Sequence, residues 1–270
     1  MRTVIQLYLE LSPGGQTGIA HVPDIPGCHF AGATREDLVG RASAEVSRYL
    51  DWCAAHGLGD LDARVAAIVK ARKKAVAASG PALVLRVAEE KEGDVGREND
   101  APSALFDRDH ESPDDPSIHA HFRVVRAAYE EMARLVNAAD ERDLAARPGD
   151  GSASPAETLD HIGDGLWWLC SRIADDLPEP GADCPAHGLA RIQCLIPWAE
   201  AWMLSIPAER RADVVVPARF PSRDHAEAWT FGKVCRRQAE HMVDHLGELK
   251  RRGDDWLDSE PSREQNRVEL

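Results

Sequence analysis

The sequence predicts an α+β chain in two parts: a small α+β unit over residues 1–90, then an all-α antiparallel four-helix bundle over residues 117–253. Three observations predict it. Apolar residues alternate in short runs near the start, they recur every three or four positions in long runs after residue 117, and an acidic stretch rich in proline and glycine separates the two patterns. Residues 91–116 are therefore read as a linker and residues 254–270 as a polar tail.

Thr3, Ile5, Leu7, Leu9 and Leu11 share one face of a first strand, and Pro13-Gly14-Gly15 turns it back into Gln16–Val22. Gly27–Ala33 supplies a third short strand. Thr34-Arg35-Glu36-Asp37 resembles a capping box, after which Leu38, Ala42, Val46, Tyr49 and Cys53 fall at helical spacing. A helical Ala63–Ala78 and a strand over Pro81–Ala88 close the unit. From Glu89 to Pro116 acids far outnumber bases, so this run is expected to be solvated, with Ala104-Leu105-Phe106 docking onto a domain.

Three apolar stripes then follow: Phe122, Val125, Tyr129, Met132 and Val136; Leu159, Ile162, Leu166, Leu169 and Ile173; Leu189, Ile192, Ile196, Ala199 and Met203. Ser154-Pro155-Ala156-Glu157 carries an N-cap, a proline at the first helical position and an acid in the first turn. Pro197 is expected to kink or split the third helix. The fourth helix, Trp229–Leu249, aligns Phe231, Val234, Gln238, His241, Met242, His245 and Leu249, which puts two histidines inside an apolar stripe.

Imidazoles four residues apart lie on one side of a helix and can converge on one cation, or they can be satisfied core groups. His161, in ETLDHIGDGLWW, is the best third ligand, at the margin of its own stripe. Asp160, Asp164 and Asp244 are candidates to orient an imidazole, although carboxylates of this kind more often face solvent. Trp167, Trp168, Trp198, Trp202 and Trp229 either pack the helices or line a pocket above the metal. Arg236 and Arg237 read as exposed ion pairs with an alternative role on a substrate anion, and Cys170 and Cys235 are the thiols nearest the site in sequence. His119 and His121 read as a frayed, solvent-facing helix start.

Composition excludes some functions. A net charge of −14 opposes phosphate binding, so nucleic-acid partners are not expected. The six cysteines include no CxxC pair, no apolar run is long enough to span a bilayer, and the first residues read as a strand, so a cytoplasmic location without membrane contact is expected.

Two family resemblances follow from these motifs. Residues 18–52, with His21-Val-Pro-Asp-Ile-Pro-Gly-Cys28 as strand-turn-strand, resemble the HicB-like antitoxin-type domain over roughly the first 90 residues. The basic DNA-binding segment usual in that family is missing, so the resemblance implies a fold and a surface for a protein partner. SPAETLDHIGDGLWWL and EAWTFGKVCRRQAEHMVDHLGEL resemble the second and fourth helices of a DinB-like bundle. That resemblance implies a divalent metal, Zn, Ni or Fe, on His161, His241 and His245, and pairing of two copies through the bundle. It further implies a metal-dependent reaction on a small molecule, hydrolytic or thiol-transferring; the alternative is a stress-response or protein-binding module with a structural metal. No catalytic residue is assigned.

Overall fold

The computed structural model describes residues 4–77, 83–93, 95, 104–149, 151–218 and 227–258. Thr3, Pro81 and Ala82, residues 94 and 96–103 of the acidic run, and residues 259–270 of the polar tail lie outside the described residues.

The elements run β1 (Val4–Leu11), β2 (Gly18–His21), β3 (His29–Gly32), α1 (Arg35–Ala55), α2 (Ala63–Ala77), β4 (Val84–Glu92), α3 (Asp115–Ala138), α4 (Glu141–Ala145), α5 (Pro155–Ser171), α6 (Gly188–Ser205), β5 (Val214–Val215), β6 (Trp229–Thr230) and α7 (Phe231–Asp258). The class is mixed α+β, with a small N-terminal sheet and a helical C-terminal half.

The sheet has the order β3-β2-β1-β4, with β1 and β4 parallel and the other pairs antiparallel. Its hairpin turns where the glycines predict, with Gly14 and Gly15 at φ +87° and +67°. Both faces of the sheet are covered. Ile5, Leu7, Leu9 and Ala20 are buried on the face that meets Leu38 of α1, whereas Tyr8 and His21 lie on the other, under Phe106. Alternation therefore marks only one of the two buried faces. Thr34 caps α1 by accepting from the Asp37 N–H at 3.2 Å, but Asp37 reaches back to the Ala33 N–H at 3.0 Å instead of closing the box on Thr34.

The acidic run departs most from expectation. β4 continues through Glu92, past the strand end predicted at Ala88, because Glu89–Glu92 pair with Tyr8–Leu11. Ala104 and Phe106 pack against Tyr8, as expected for a docking segment. A 3-10 turn over Asp107–His110 then brings Asp109 into the interior, where it is 3% exposed. A run read as solvated thus ends in a buried carboxylate.

In the helical half, α3 packs on α6 and α7, and α5 packs on the same two helices. Asp114 caps α3 through the Ser117 N–H at 2.9 Å. The capping box at α5 is present, with Ser154 and Glu157 exchanging bonds of 3.3 and 2.8 Å. Pro197 does not split α6, which is continuous from Gly188 to Ser205. The proline is exposed, and so is Gln193, the residue whose carbonyl loses its intrahelical donor to the proline ring. The fourth predicted helix is displaced at both ends: Trp229 and Thr230 pair with Val215 and Val214, and α7 runs to Asp258. Residues 254–258, read as the start of a tail, form its last turn.

One contiguous apolar cluster extends from Ile5 to Leu249 and includes buried residues of both halves. Gly27, at φ +77°, marks a close approach of the two halves, since a Cβ there would lie 2.6 Å from the Tyr49 hydroxyl, 2.9 Å from Val124 and 3.3 Å from Val243. Trp52 of α1 donates to Glu131 of α3 at 2.6 Å, and Lys250 of α7 pairs with the same carboxylate.

Candidate metal centre

Helices α5 and α7 run antiparallel, as three contacts show. Thr158 reaches Glu248 at 3.4 Å, Gln238 donates to the Leu166 carbonyl at 3.0 Å, and Trp168 meets Trp229 edge to face at 5.7 Å between centroids. Between the first two of these contacts His161 faces His241 and His245. The Nε2 atoms of His161 and His241 are 3.1 Å apart, and one nitrogen from each of the three rings lies within 4.8 Å of the others. The structure therefore brings together all three histidines singled out from the sequence.

Their setting differs in one respect. His241 and His245 are half-buried at the edge of the apolar stripe formed by Val234, Met242, Leu246 and Leu249, not inside it, and His161 is exposed. Desolvation, reinforced by the charges of His245 and His161, holds the His241 imidazolium far below its ordinary range; the surrounding protein desolvates the His161 ring too, although the residue keeps access to solvent, and with His245 lowers its pKa. Neutral imidazoles offer lone pairs, the form a metal ligand needs. Two nitrogens 3.1 Å apart can share at most one proton, so at least one of the pair presents a lone pair instead of an N–H. The donor set fits a divalent cation: three imidazoles suit Zn, Ni or Fe, and three protein ligands leave a position open.

Two residues complete the centre that the sequence did not mark. Glu248 accepts from His245 Nδ1 at 2.8 Å. An ionised carboxylate only accepts, so that bond assigns the proton to Nδ1 and leaves the Nε2 lone pair available to a cation. Glu248 is itself held by Thr158 at 3.4 Å and Arg252 at 2.6 Å. The second residue is Gly165, where a Cβ would stand 2.5 Å from Cε1 of His241. A signal for Glu248 was present, since it lies three residues after His245 on the same helix face. For Gly165 the sequence offers only a glycine inside a strong helix.

The carboxylates proposed to orient an imidazole do other work. Asp160 accepts from the Gly188 N–H at 2.7 Å and His187 at 2.9 Å, which ties α5 to the start of α6. Asp164 pairs with Arg191 at 2.8 Å, and Asp244 lies 3.8 Å from His29. The tryptophans act mainly in packing: Trp168 and Trp229 meet two to three helical turns from the histidines, with Arg172 over one ring at 4.3 Å and Lys233 over the other at 4.2 Å. Trp167, Trp198 and Trp202 are half-buried against the core. Burial pushes the thiols of Cys170 and Cys235 up, away from the thiolate a nucleophile requires. His119 and His121 do not fray: the first pairs with Glu200 at 2.9 Å and the second donates to the Ser117 carbonyl at 2.8 Å.

Arg236 and Arg237 are 4% and 6% exposed, not surface ion pairs. Arg236 donates to Asp109 at 2.8 and 2.7 Å, to Glu240 at 3.1 Å and to the Ala104 carbonyl at 3.1 Å. His21 meets Glu240 at 2.9 Å on one side and Glu10 at 3.6 Å on the other. Burial opposes the charge on Glu240, but His21 and Arg236 outweigh it and hold the carboxyl well below its usual range. The HVPDIPGC segment is thus a docking element against α7, on the side opposite α5.

Residues 125–249 match the family model of the DinB superfamily, a span that includes His161, His241 and His245. The match bears out the DinB-like character of the C-terminal half. No curated protein and no solved structure matches the chain.

Proposed function

We propose that α3, α5, α6 and α7 form a DinB-type four-helix bundle that holds a divalent metal on His161, His241 and His245, and that this centre acts on a small molecule. The observation that carries the proposal is the convergence of three imidazoles from two helices, with nitrogens within 4.8 Å of one another. Convergence of that kind, backed by a carboxylate on His245, is what a metal site needs and what packed core histidines do not.

Bound there, a divalent cation supplies Lewis acidity toward a donor atom in the open position, which serves either hydrolysis or thiol transfer. The chain's own residues prepare the site. Glu248 fixes the tautomer and rotation of His245, Gly165 leaves room for the His241 ring against α5, and burial keeps His241 neutral. The buried thiols of Cys170 and Cys235 are unsuited to act as the nucleophile, so any thiol chemistry at the centre uses a thiol other than these two. The N-terminal unit, HicB-like in pattern, serves as a buttress for α7 in this reading.

The test is elemental analysis of protein purified without a metal-binding tag, beside the His241→Ala/His245→Ala double variant. Near-stoichiometric metal in the wild type that disappears in the variant supports the proposal. Metal-free protein that refuses added Zn²⁺, Ni²⁺ and Fe²⁺ refutes it. A metal-loaded protein whose metal accepts no exogenous ligand retains the site but loses the catalytic part.

A further inference from the structure

The face of α7 that carries the histidines holds one more polar group. At 3.6 residues per turn, Arg237, His241, His245 and Glu248 climb the helix as one stripe, with Arg237 one turn before His241. Its side chain is 7% exposed. The neighbouring Arg236 spends its guanidinium on Asp109, Glu240 and the Ala104 carbonyl. Among the described residues Arg237 makes one bond, from NH1 to Glu240 Oε2 at 3.1 Å.

A guanidinium has five N–H donors in a planar fork, and its Nε and NH2 groups form the edge that grips a carboxylate with two parallel bonds. Among the described residues, that edge of Arg237 has no protein partner. Its nitrogens are not sealed in the core, as Trp229 Nε1 and Gln238 Oε1 are, so the edge keeps a narrow opening to solvent. Burial without saturation is costly in a structural arginine and useful in a binding one. On one side of the stripe stands α5 with His161, and on the other stands the N-terminal unit, where His29 approaches Asp244. Junctions of this kind are favoured places for small-molecule sites.

We propose that Arg237 is the anion anchor of the metal centre: it takes the carboxylate of a small molecule whose other end donates to the metal on His161, His241 and His245. The proposal rests on the metal reading above and adds the substrate class to it, a compact carboxylate with a second donor atom one helical turn away, ~5–6 Å. The net charge of −14 repels anions at long range, so any preference for carboxylate has to come from a local cation.

The experiment uses the full chain loaded with Co²⁺ and titrated with mercaptopropionate, mercaptobutyrate and the mercaptoalcohols of equal length, with the thiolate-to-cobalt charge-transfer band as readout. The wild type is expected to bind the better carboxylate roughly tenfold more tightly than its matched alcohol, as for a charge-assisted bond. Arg237→Gln is expected to reduce that ratio to about one while Co²⁺ content and mercaptoalcohol affinity stay unchanged; Arg237→Lys, which keeps the charge and loses the fork, falls between. Equal affinity for carboxylate and alcohol in the wild type overturns the proposal even if Arg237→Gln does not fold, and so does a preference that survives Arg237→Gln. If Co²⁺ binds and the thiol bands appear without carboxylate preference, the anchor fails and the metal centre stands. If Co²⁺ does not bind at all, both fail.

Discussion

Gly165→Ala separates the metal centre from the stability of the helices that build it. A Cβ at residue 165 would lie 2.5 Å from Cε1, 3.1 Å from Nδ1 and 3.2 Å from Nε2 of His241, while ordinary contact begins near 3.4 Å. The helix backbones need not part, because the obstructing atoms are the end of a side chain that can swing aside. Swinging aside moves the ring by about 0.9 Å, several times the ~0.2 Å tolerance of a metal–ligand distance. Disturbing only an outer partner of a ligand typically costs 10- to 100-fold in metal affinity, so displacing the ligand itself is expected to cost at least about 100-fold. Replacing glycine by alanine in a helix interior contributes up to ~1 kcal/mol in the other direction. The metal-free variant should therefore melt at or slightly above the wild-type temperature while its affinity for Zn²⁺, measured by competition with a chromogenic chelator, collapses. Wild-type affinity in Gly165→Ala would show that His241 does not need that space as a ligand, and the argument for the centre would lose one of its three rings.

Other consequences follow from the same geometry. Glu248→Ala should weaken metal binding ~10- to 100-fold by freeing the His245 ring, and Glu248→Gln, which still accepts at Nδ1, should recover most of it in the same competition assay. Asp109→Ala leaves Arg236 buried with fewer acceptors and should lower unfolding free energy in urea by about 3–5 kcal/mol; a loss under ~1 kcal/mol would contradict the buried network. Lys233 is fully buried beside Glu227, and desolvation lowers its pKa from 10.5 to about 8. The unfolded chain then binds more protons between those values, so the stability difference between wild type and Lys233→Met should rise in favour of the wild type from pH 8 to about 10.5; a flat difference would refute the shift.

Local chemistry was legible where it stayed local. The box at Ser154 and Glu157, the glycines of the first turn and the spacing of His241 and His245 each act within four residues, and each forms as the residues indicate. What escaped were pairings between distant positions. Asp109 sits in a run whose composition says solvent, and its partner Arg236 is 127 residues away. His21 and Glu240 are 219 residues apart, so neither advertises that it will be buried. The acids of β4 look like a linker because they lie on an edge strand, where charged side chains can face solvent while the backbone pairs with β1. Gly165 was invisible for a different reason: a required absence of atoms leaves no pattern.

The distribution of these pairings along α7 bears on why two unlike halves share a chain. Glu240 precedes His241, and Asp244 precedes His245; the acidic residues face the N-terminal unit while the histidines face α5. A shift of His21 or His29 therefore acts on the same two helical turns that hold the ligands. An exposed ion pair contributes under ~1 kcal/mol and permits such shifts, whereas breaking a buried pair costs about 3–5 kcal/mol. His21 and Glu240, the pair that crosses from the N-terminal unit to α7, are 0% and 1% exposed, so the second figure applies and the units are clamped instead of tethered. Together with the large apolar cluster that both halves share, this predicts one cooperative unfolding transition for the whole chain, coincident by tryptophan fluorescence and far-ultraviolet circular dichroism. Two separated transitions would mean that the N-terminal unit can leave α7 intact, and its role as a buttress for the metal ligands would fall with that result.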